Sequence, residues 1–292
     1  MNLELLGPVL VSGLLLSSLY ALMAVGLTLV WTTLGIFNFA HGAFMTLAAF
    51  IAWQVGVEQG WGLGAAAGFA AAMAALIGVG ILIELTLVRP FINQRDRVLI
   101  VVMTTLAAMT IVQNGTLITF GGRFKQMPPL LEGNVSLLGG TVSEHELLIM
   151  IVAPVVVISL LLFLKYSTVG TAIRAVGQNP EAASLMGLNV RSLYATAFAL
   201  SAALAAVAGI LLGSIRFISP ELGTEPLMKA LIVAILGGLG SIMGTILGAY
   251  AIGFVEAFLI FFVGLYATPA ILFALMIVVL LVRPEGLFGR LK

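Results

Sequence analysis

Residues 167–189 read STVGTAIRAVGQNPEAASLMGLN, a polar island set between two long apolar stretches. The sequence on either side is compatible with hydrocarbon, and this segment is not. Its residues spell two short helices. Ser167 or Thr168 can cap a turn running through Arg174, and Gly177 can close it in the left-handed conformation. Asn179 can cap a second helix with Pro180 at its first position, where a missing N–H costs nothing, and with Glu181 near the positive end of the dipole. Gly187 stops that helix after about seven residues, roughly 10 Å at 1.5 Å per residue. The double turn is too short to cross a bilayer, so it reads as an element that something outside the membrane holds.

Composition sets the class of the whole chain. Apolar residues make up 61% of it and charged residues 9%, against about 25% charged in a soluble domain. That balance describes an all-α, polytopic membrane protein, a single transmembrane domain over residues 1–292. Apolar runs fall near 8–34, 37–55, 62–88, 98–120, 147–164, 193–214 and 227–282. A pass needs about 20 apolar residues, so the last run has room for two or three. About eight or nine transmembrane helices are expected, some of them interrupted. The longest polar stretch, about 121–146, contains Pro128, Pro129 and several glycines and reads as an external loop. With no cysteine, disulfides and thiolate metal sites are excluded. Glu4 is the only charge near the N-terminus and no Lys or Arg precedes Arg89, so a cleavable signal is not expected and the first span should be retained.

The distribution of charge gives the orientation. Three places hold most of the cations: Arg89, Arg95 and Arg97; Lys165, Arg174 and Arg191; and Arg283, Arg290 and Lys292. The remaining four, Arg123, Lys125, Arg216 and Lys229, share their loops with Glu132, Glu144, Glu146, Glu221 and Glu225. The positive-inside rule puts the first three places, and with them the segment 165–191, in the cytoplasm.

Polar groups within the apolar runs are costly and mark a candidate solute pathway. Asn38, His41 and Gly42 interrupt the first apolar region, Gln113 and Asn114 lie in the fourth, and Glu256 is the one carboxylate deep in the last block. For His41 a structural hydrogen bond competes with pathway lining, and for Glu256 pairing at a helix interface does. Glu84 lies within reach of Arg89, which favours a simple ion pair. MTLAAF at 45–50 aligns with TILGAY at 245–250, each after an interrupted stretch, GIFNFAHG at 35–42 and GGLGS at 237–241. Gly237, Gly238 and Gly240 therefore join the candidates, since interrupted segments at matching positions of two halves point to a transport route. Gly240, Gly244 and Gly248 also read as small-residue steps for close helix packing, as do Gly64 with Gly68 and Gly209 with Gly213. No G-x-x-x-x-G-K-[ST] loop occurs, so a nucleotide-driven process needs its ATPase on another chain.

Three motifs carry a family resemblance. Glu181-Ala182-Ala183, followed after three residues by Gly187, is similar to the EAA…G signature of ABC importer permeases, although the Ile-x-Leu-Pro that follows it in the maltose-type group is absent. AIRAVGQNPEAASLMGLNV, GLTLVWTTLGIFNFAHGAF (Gly26–Phe44) and the ending RPEGLFG (Arg283–Gly289) resemble the branched-chain amino acid permease family, its shorter H-type subunit rather than the longer M-type. The resemblance implies a bacterial or archaeal inner-membrane permease subunit with no cofactor of its own. It also implies two ATPase subunits holding ATP and Mg, a second permease subunit (another chain or a copy of this one) and an external solute-binding protein. It implies a coupling role for Gly170, Arg174, Asn179, Pro180, Glu181, Ala182, Ala183, Leu185, Met186 and Gly187. In that element Gly170 and Gly177 would let the backbone turn, and Ala182, Ala183, Leu185 and Met186 would form the docking face. The few fixed charges suit a neutral or zwitterionic solute; the resemblance implies a branched-chain or other hydrophobic amino acid, with urea and short amides left open. The alternatives are an ion-coupled secondary transporter using His41, Glu84 or Glu256, and a passive small-solute channel. Neither explains the capped double turn.

Overall fold

The computed structural model describes residues 6–57, 60–137, 140–283 and 286–288. Helices α1 (Leu6–Leu34), α2 (Ala40–Gly56), α3 (Ala65–Ile83), α4 (Arg97–Phe120) and α5 (Glu144–Tyr166) form the first half. The second half holds α6 (Thr168–Gln178), α7 (Pro180–Leu185), α8 (Val190–Ile215), α9 (Thr224–Gly237), α10 (Ile242–Phe262) and α11 (Thr268–Val282). Among the described residues, α1, α4, α5, α8, α10 and the stretch from α3 through Phe91 are long and apolar enough to cross a bilayer, and α11 is apolar but shorter. The protein is a polytopic helical bundle. Its 121–146 loop is more ordered than its prolines and glycines suggest. It holds an antiparallel hairpin of β1 (Asn134–Leu137) and β2 (Gly140–Ser143), with Val135 opposite Val142.

The two ends of the bundle differ in charge. Arg89, Arg97, Lys165, Arg174 and Arg191 gather at one end, around two cavities that share Arg97, Pro180 and Tyr194. At the other end Lys125 and Ile218 exchange backbone hydrogen bonds of 3.0 and 2.8 Å, and the Lys125 ammonium stands 4.0 Å from the Trp53 ring centre. The positive-inside rule assigns the first end to the cytoplasm, and it is called the cytoplasmic end on that basis. Lys229 departs from the sequence reading: it sits inside α9 and is buried, not in a loop.

Helix α1 is the central post, packed against α5, α8, α9 and α10. It runs antiparallel to α10, with the Thr28 and Thr245 hydroxyls 3.0 Å apart toward the cytoplasmic end and Gly13 under the Phe254 ring toward the outer end. Without a hydrophobic driving force between helices in lipid, such approach depends on small residues. A Cβ at Gly209 of α8 would sit 2.1 Å from the Met45 carbonyl oxygen of α2, and one at Gly244 of α10 2.2 Å from the Gly237 carbonyl oxygen of α9. Gly240 belongs to no such step. It lies in the turn between α9 and α10 at φ +100.

Two spans are broken. The chain leaves α1 at Leu34, and residues 35–39 run back into the bundle before α2 begins at Ala40, beside Met23 and Gly26 in the middle of α1. It leaves α8 at Ile215, and residues 216–223 return inward before α9 begins at Thr224 against the start of α2. From that meeting point α2 runs out toward Lys125, and α9 runs in toward the cytoplasmic turn at Gly238–Ser241.

Candidate functional site

The meeting of α2 and α9 is made by two glycines. A Cβ at Gly223 would lie 1.9 Å from the Gly42 carbonyl oxygen, and one at Gly42 2.7 Å from that of Gly223. The Gly223 N–H donates to the Thr46 hydroxyl at 2.9 Å, and the Gln113 amide donates to the Thr224 hydroxyl at 2.9 Å, tying α4 to the same spot. On the α2 side the Thr105 hydroxyl accepts from the Phe39 N–H at 3.3 Å, and Asn38 Oδ1 accepts from the Ala40 N–H at 3.1 Å. Asn38 Nδ2 is buried without a partner, alone in that among the described side chains.

His41 is held from two sides. Its Nε2 lies 3.1 Å from the Met23 carbonyl, which can only accept, so Nε2 carries the proton and Nδ1 accepts from the Ser201 hydroxyl at 3.3 Å. Both nitrogens are engaged, and the ring pins the start of α2 to α1 and α8. Of the remaining candidates only Gln113 reaches this junction. Asn114 folds onto the Thr110 carbonyl of its own helix and faces outward. Gly237, Gly238 and Gly240 stand at the far end of α9, roughly 20 Å from Thr224 along the 1.5 Å rise. The partner of the Asn38–Gly42 break is therefore Gly223–Thr224, not the segment aligned with it by sequence.

One turn along α1 lies a chain of charge that the sequence reading did not assemble. Lys229 donates to Glu256 Oε1 at 2.6 Å and pairs with Glu225 at 2.7 Å. The Tyr20 hydroxyl donates to Glu256 Oε2 at 2.6 Å, and Arg216 donates to Glu225 at 3.1 Å. Lys229 is 8% exposed and Glu256 2%. An isolated charge at this depth would carry a large desolvation cost, and these neutralise one another as a set. A small cavity of about 30 Å³ adjoins Tyr20, Lys229 and Glu225. The signals in the sequence are Glu256 itself, for which pairing at a helix interface is one reading, and the Glu225–Lys229 spacing of one helical turn inside TEPLMKALIVAILG.

At the cytoplasmic end the polar island forms the two capped helices. Ser167 accepts from the Gly170 N–H at 2.8 Å, and Asn179 accepts from the Ala182 N–H at 2.9 Å, with Pro180 opening α7. Gly187, at φ +82, ends the element, a conformation L side chains rarely adopt. Gly177 does not close α6, which runs on to Gln178 before an extended Asn179; it lets α6 approach α1, where a Cβ would lie 2.4 Å from the Thr32 carbonyl oxygen. Gly170 likewise provides close contact with the end of α5 rather than a sharp turn. Ala183 faces inward at 5% exposure, leaving Glu181, Ala182, Leu185 (89%) and Met186 (83%) on the free side. Arg174 bonds the Lys165 carbonyl at 3.3 Å and so braces α6 on α5. Beside α7, Glu84 and Arg89 form a two-pronged ion pair of 2.7 and 3.1 Å across a π-helical turn, and Arg89 also donates to the Arg191 carbonyl at 3.3 Å.

A bundle of apolar spans, two broken helices joined at mid-depth and a capped polar element at one end define a multi-pass helical membrane protein with the build of a transporter. The family described as "Branched-chain amino acid transport system / permease component" matches residues 9–280, and the chain belongs to it. It is similar to the high-affinity branched-chain amino acid transport system permease protein LivH of Escherichia coli K12, 34% identical over 96% of this chain and 94% of that one. It is also similar to the corresponding permease protein BraD of Pseudomonas aeruginosa, 35% identical over 96% and 95%. A more distant relative is the ribose import permease protein RbsC of E. coli, 29% identical over 82% of this chain and 74% of that one. No solved structure matches the chain significantly.

Proposed function

We propose that this chain is one half of the pore of an ABC importer for branched-chain amino acids. ATP and Mg are bound by two separate cytoplasmic ATPase subunits, which dock on α7. A second permease subunit completes the pore, and an external binding protein delivers the solute. The observation that carries this reading is the α6–α7 element. Its outer side presents Leu185 and Met186 to the cytoplasm, while its inner side is fixed to α1 and α5 by Gly177, Gly170 and Arg174. Large apolar side chains displayed on a braced, capped helix suit a partner groove and the transmission of a rigid push. The junction around Asn38, Gly42 and Gly223 is the candidate gate: it is uncharged, and irregular backbone at that depth is tolerated only inside protein or along a cavity. The branched-chain substrate is that of the relatives at 34 and 35% identity, LivH and BraD. Proteoliposomes holding the chain with its copurified partners test it. Leucine uptake should require internal ATP and the binding protein, and urea should not compete. Uptake by the chain alone, or uptake driven by a proton gradient without ATP, would overturn the reading.

A further inference from the structure

A cavity of about 1000 Å³ opens at the cytoplasmic end between the last turn of α1, the corner of α5 and α6, and the starts of α4 and α10. Its lining separates by chemistry. Leu164, Ile173 and Val176 form its buried apolar floor, and the exposed Arg97, Lys165 and Arg174 stand at the rim. The described lining residues include no carboxylate, and none of these three cations forms an ion pair among the described residues. That contrasts with Lys229 and Arg89, each matched to a carboxylate. Arg174 is not a loose surface side chain: its Nη2 bonds the Lys165 carbonyl and the Thr171 hydroxyl, both at 3.3 Å, which fixes the guanidinium at the end of α5.

We propose that this cavity binds an anionic phospholipid of the inner leaflet, with its phosphate among Arg97, Lys165 and Arg174 and an acyl chain along the apolar floor. A zwitterionic solute would ask for an acceptor for its ammonium group as well as a cation for its carboxylate, and the described lining provides carbonyls and hydroxyls but no charged acceptor. A free phosphate would leave the apolar floor unused. A lipid phosphate with its chain uses both, and basic pockets between helices on the cytoplasmic side are where such headgroups settle. The occupant would lie between α6, through Ile173 and Gly177, and the ends of α1 and α10, through Trp31 and Met243. The site stands whether or not the importer reading holds.

Trp31 provides a native probe. The other two tryptophans, Trp53 and Trp61, can be changed to Phe, leaving Trp31 as the only one in the full-length chain. In nanodiscs of phosphatidylcholine with a minor fraction of brominated phosphatidylglycerol, Trp31 should be quenched more strongly than with the same fraction of brominated phosphatidylcholine. Replacing Arg97, Lys165 and Arg174 by Gln should remove that preference, weakening phosphatidylglycerol binding by about a hundredfold, from roughly fivefold per cation. Neutralising Arg95, Arg191 and Arg283 instead should leave it in place. Equal quenching by the two brominated lipids would overturn the proposal. So would a preference that survives in the triple variant, or one abolished by millimolar inorganic phosphate, which would identify a free-anion site. Should the triple variant not fold, Arg97→Gln and Lys165→Gln singly must each reduce the preference, and no change in either would count equally against it.

Discussion

Lys229 on α9 and Glu256 on α10 are joined at 2.6 Å, both buried and both supported by a further partner, Glu225 on one side and Tyr20 on the other. The pair fixes a half-length helix that is continued across the membrane only by the separate helix α2, not by its own chain direction. Changing Lys229 to Met strands Glu256 among apolar side chains. Losing one partner of a buried pair costs about 3–5 kcal/mol, whereas replacing both with apolar groups is often neutral. K229M should therefore unfold at a markedly lower temperature in detergent, and K229M combined with E256L should regain most of the loss. A double variant as unstable as the single one would mean that the pair holds α9 through something other than charge compensation.

The Gly42–Gly223 contact leaves no room for a methyl group. Gly223→Ala should cost about 1–3 kcal/mol as overpacking forces the two backbones apart, and it should lower solute uptake together with stability. Gly115→Ala is the control: on α4 the added methyl meets nothing within 4 Å. Thermal unfolding of the two variants side by side tests this, and equal behaviour would refute it.

Position 184 reports orientation without interference, because the chain contains no cysteine and Ser184 is exposed on α7. A Ser184→Cys protein should react with a membrane-impermeant maleimide in inside-out vesicles and stay unlabelled in intact cells. Labelling from outside would reverse the assignment of the whole bundle.

Glu181→Lys tests the coupling element more cleanly than Gly187→Pro. Proline cannot take φ +82 and would also delete the Gly187 N–H that bonds the Ser184 carbonyl at 3.0 Å, so it breaks the turn itself. Glu181 is exposed at the start of α7, where a cation opposes the dipole only weakly in water. E181K should assemble and melt like the unaltered chain while substrate-stimulated ATP hydrolysis by the complex falls. Normal stimulation would remove Glu181 from the docking surface.

The features legible in the sequence are those governed by local chemistry. Ser167, Asn179 and Pro180 act through backbone groups two or three residues away, so the capped double turn could be read from the letters. The Asn38–Gly42 break was visible because polar residues interrupt an apolar run. What could not be read depends on residues brought together from distant parts of the chain. Gly223 looks like any loop glycine until Gly42 lies against it. Lys229 follows Arg216, Glu221 and Glu225 closely enough to pass for part of their loop, since hydropathy does not distinguish a solvated cation from one whose partner is on another helix. Gly177 and Gly240 exchanged roles for a related reason: the lack of a Cβ serves both a positive φ and a close contact, and only the neighbours decide between them.

Because α2 and α9 begin head to head, their positive ends converge at mid-depth, each equivalent to roughly half a unit charge. A sodium ion or a hydrated proton crossing there would meet that repulsion where it has least water to offset it. On the route proposed above, the cell's ion gradients would meet an electrostatic insulator at the same place where an uncharged or internally neutral solute would meet none.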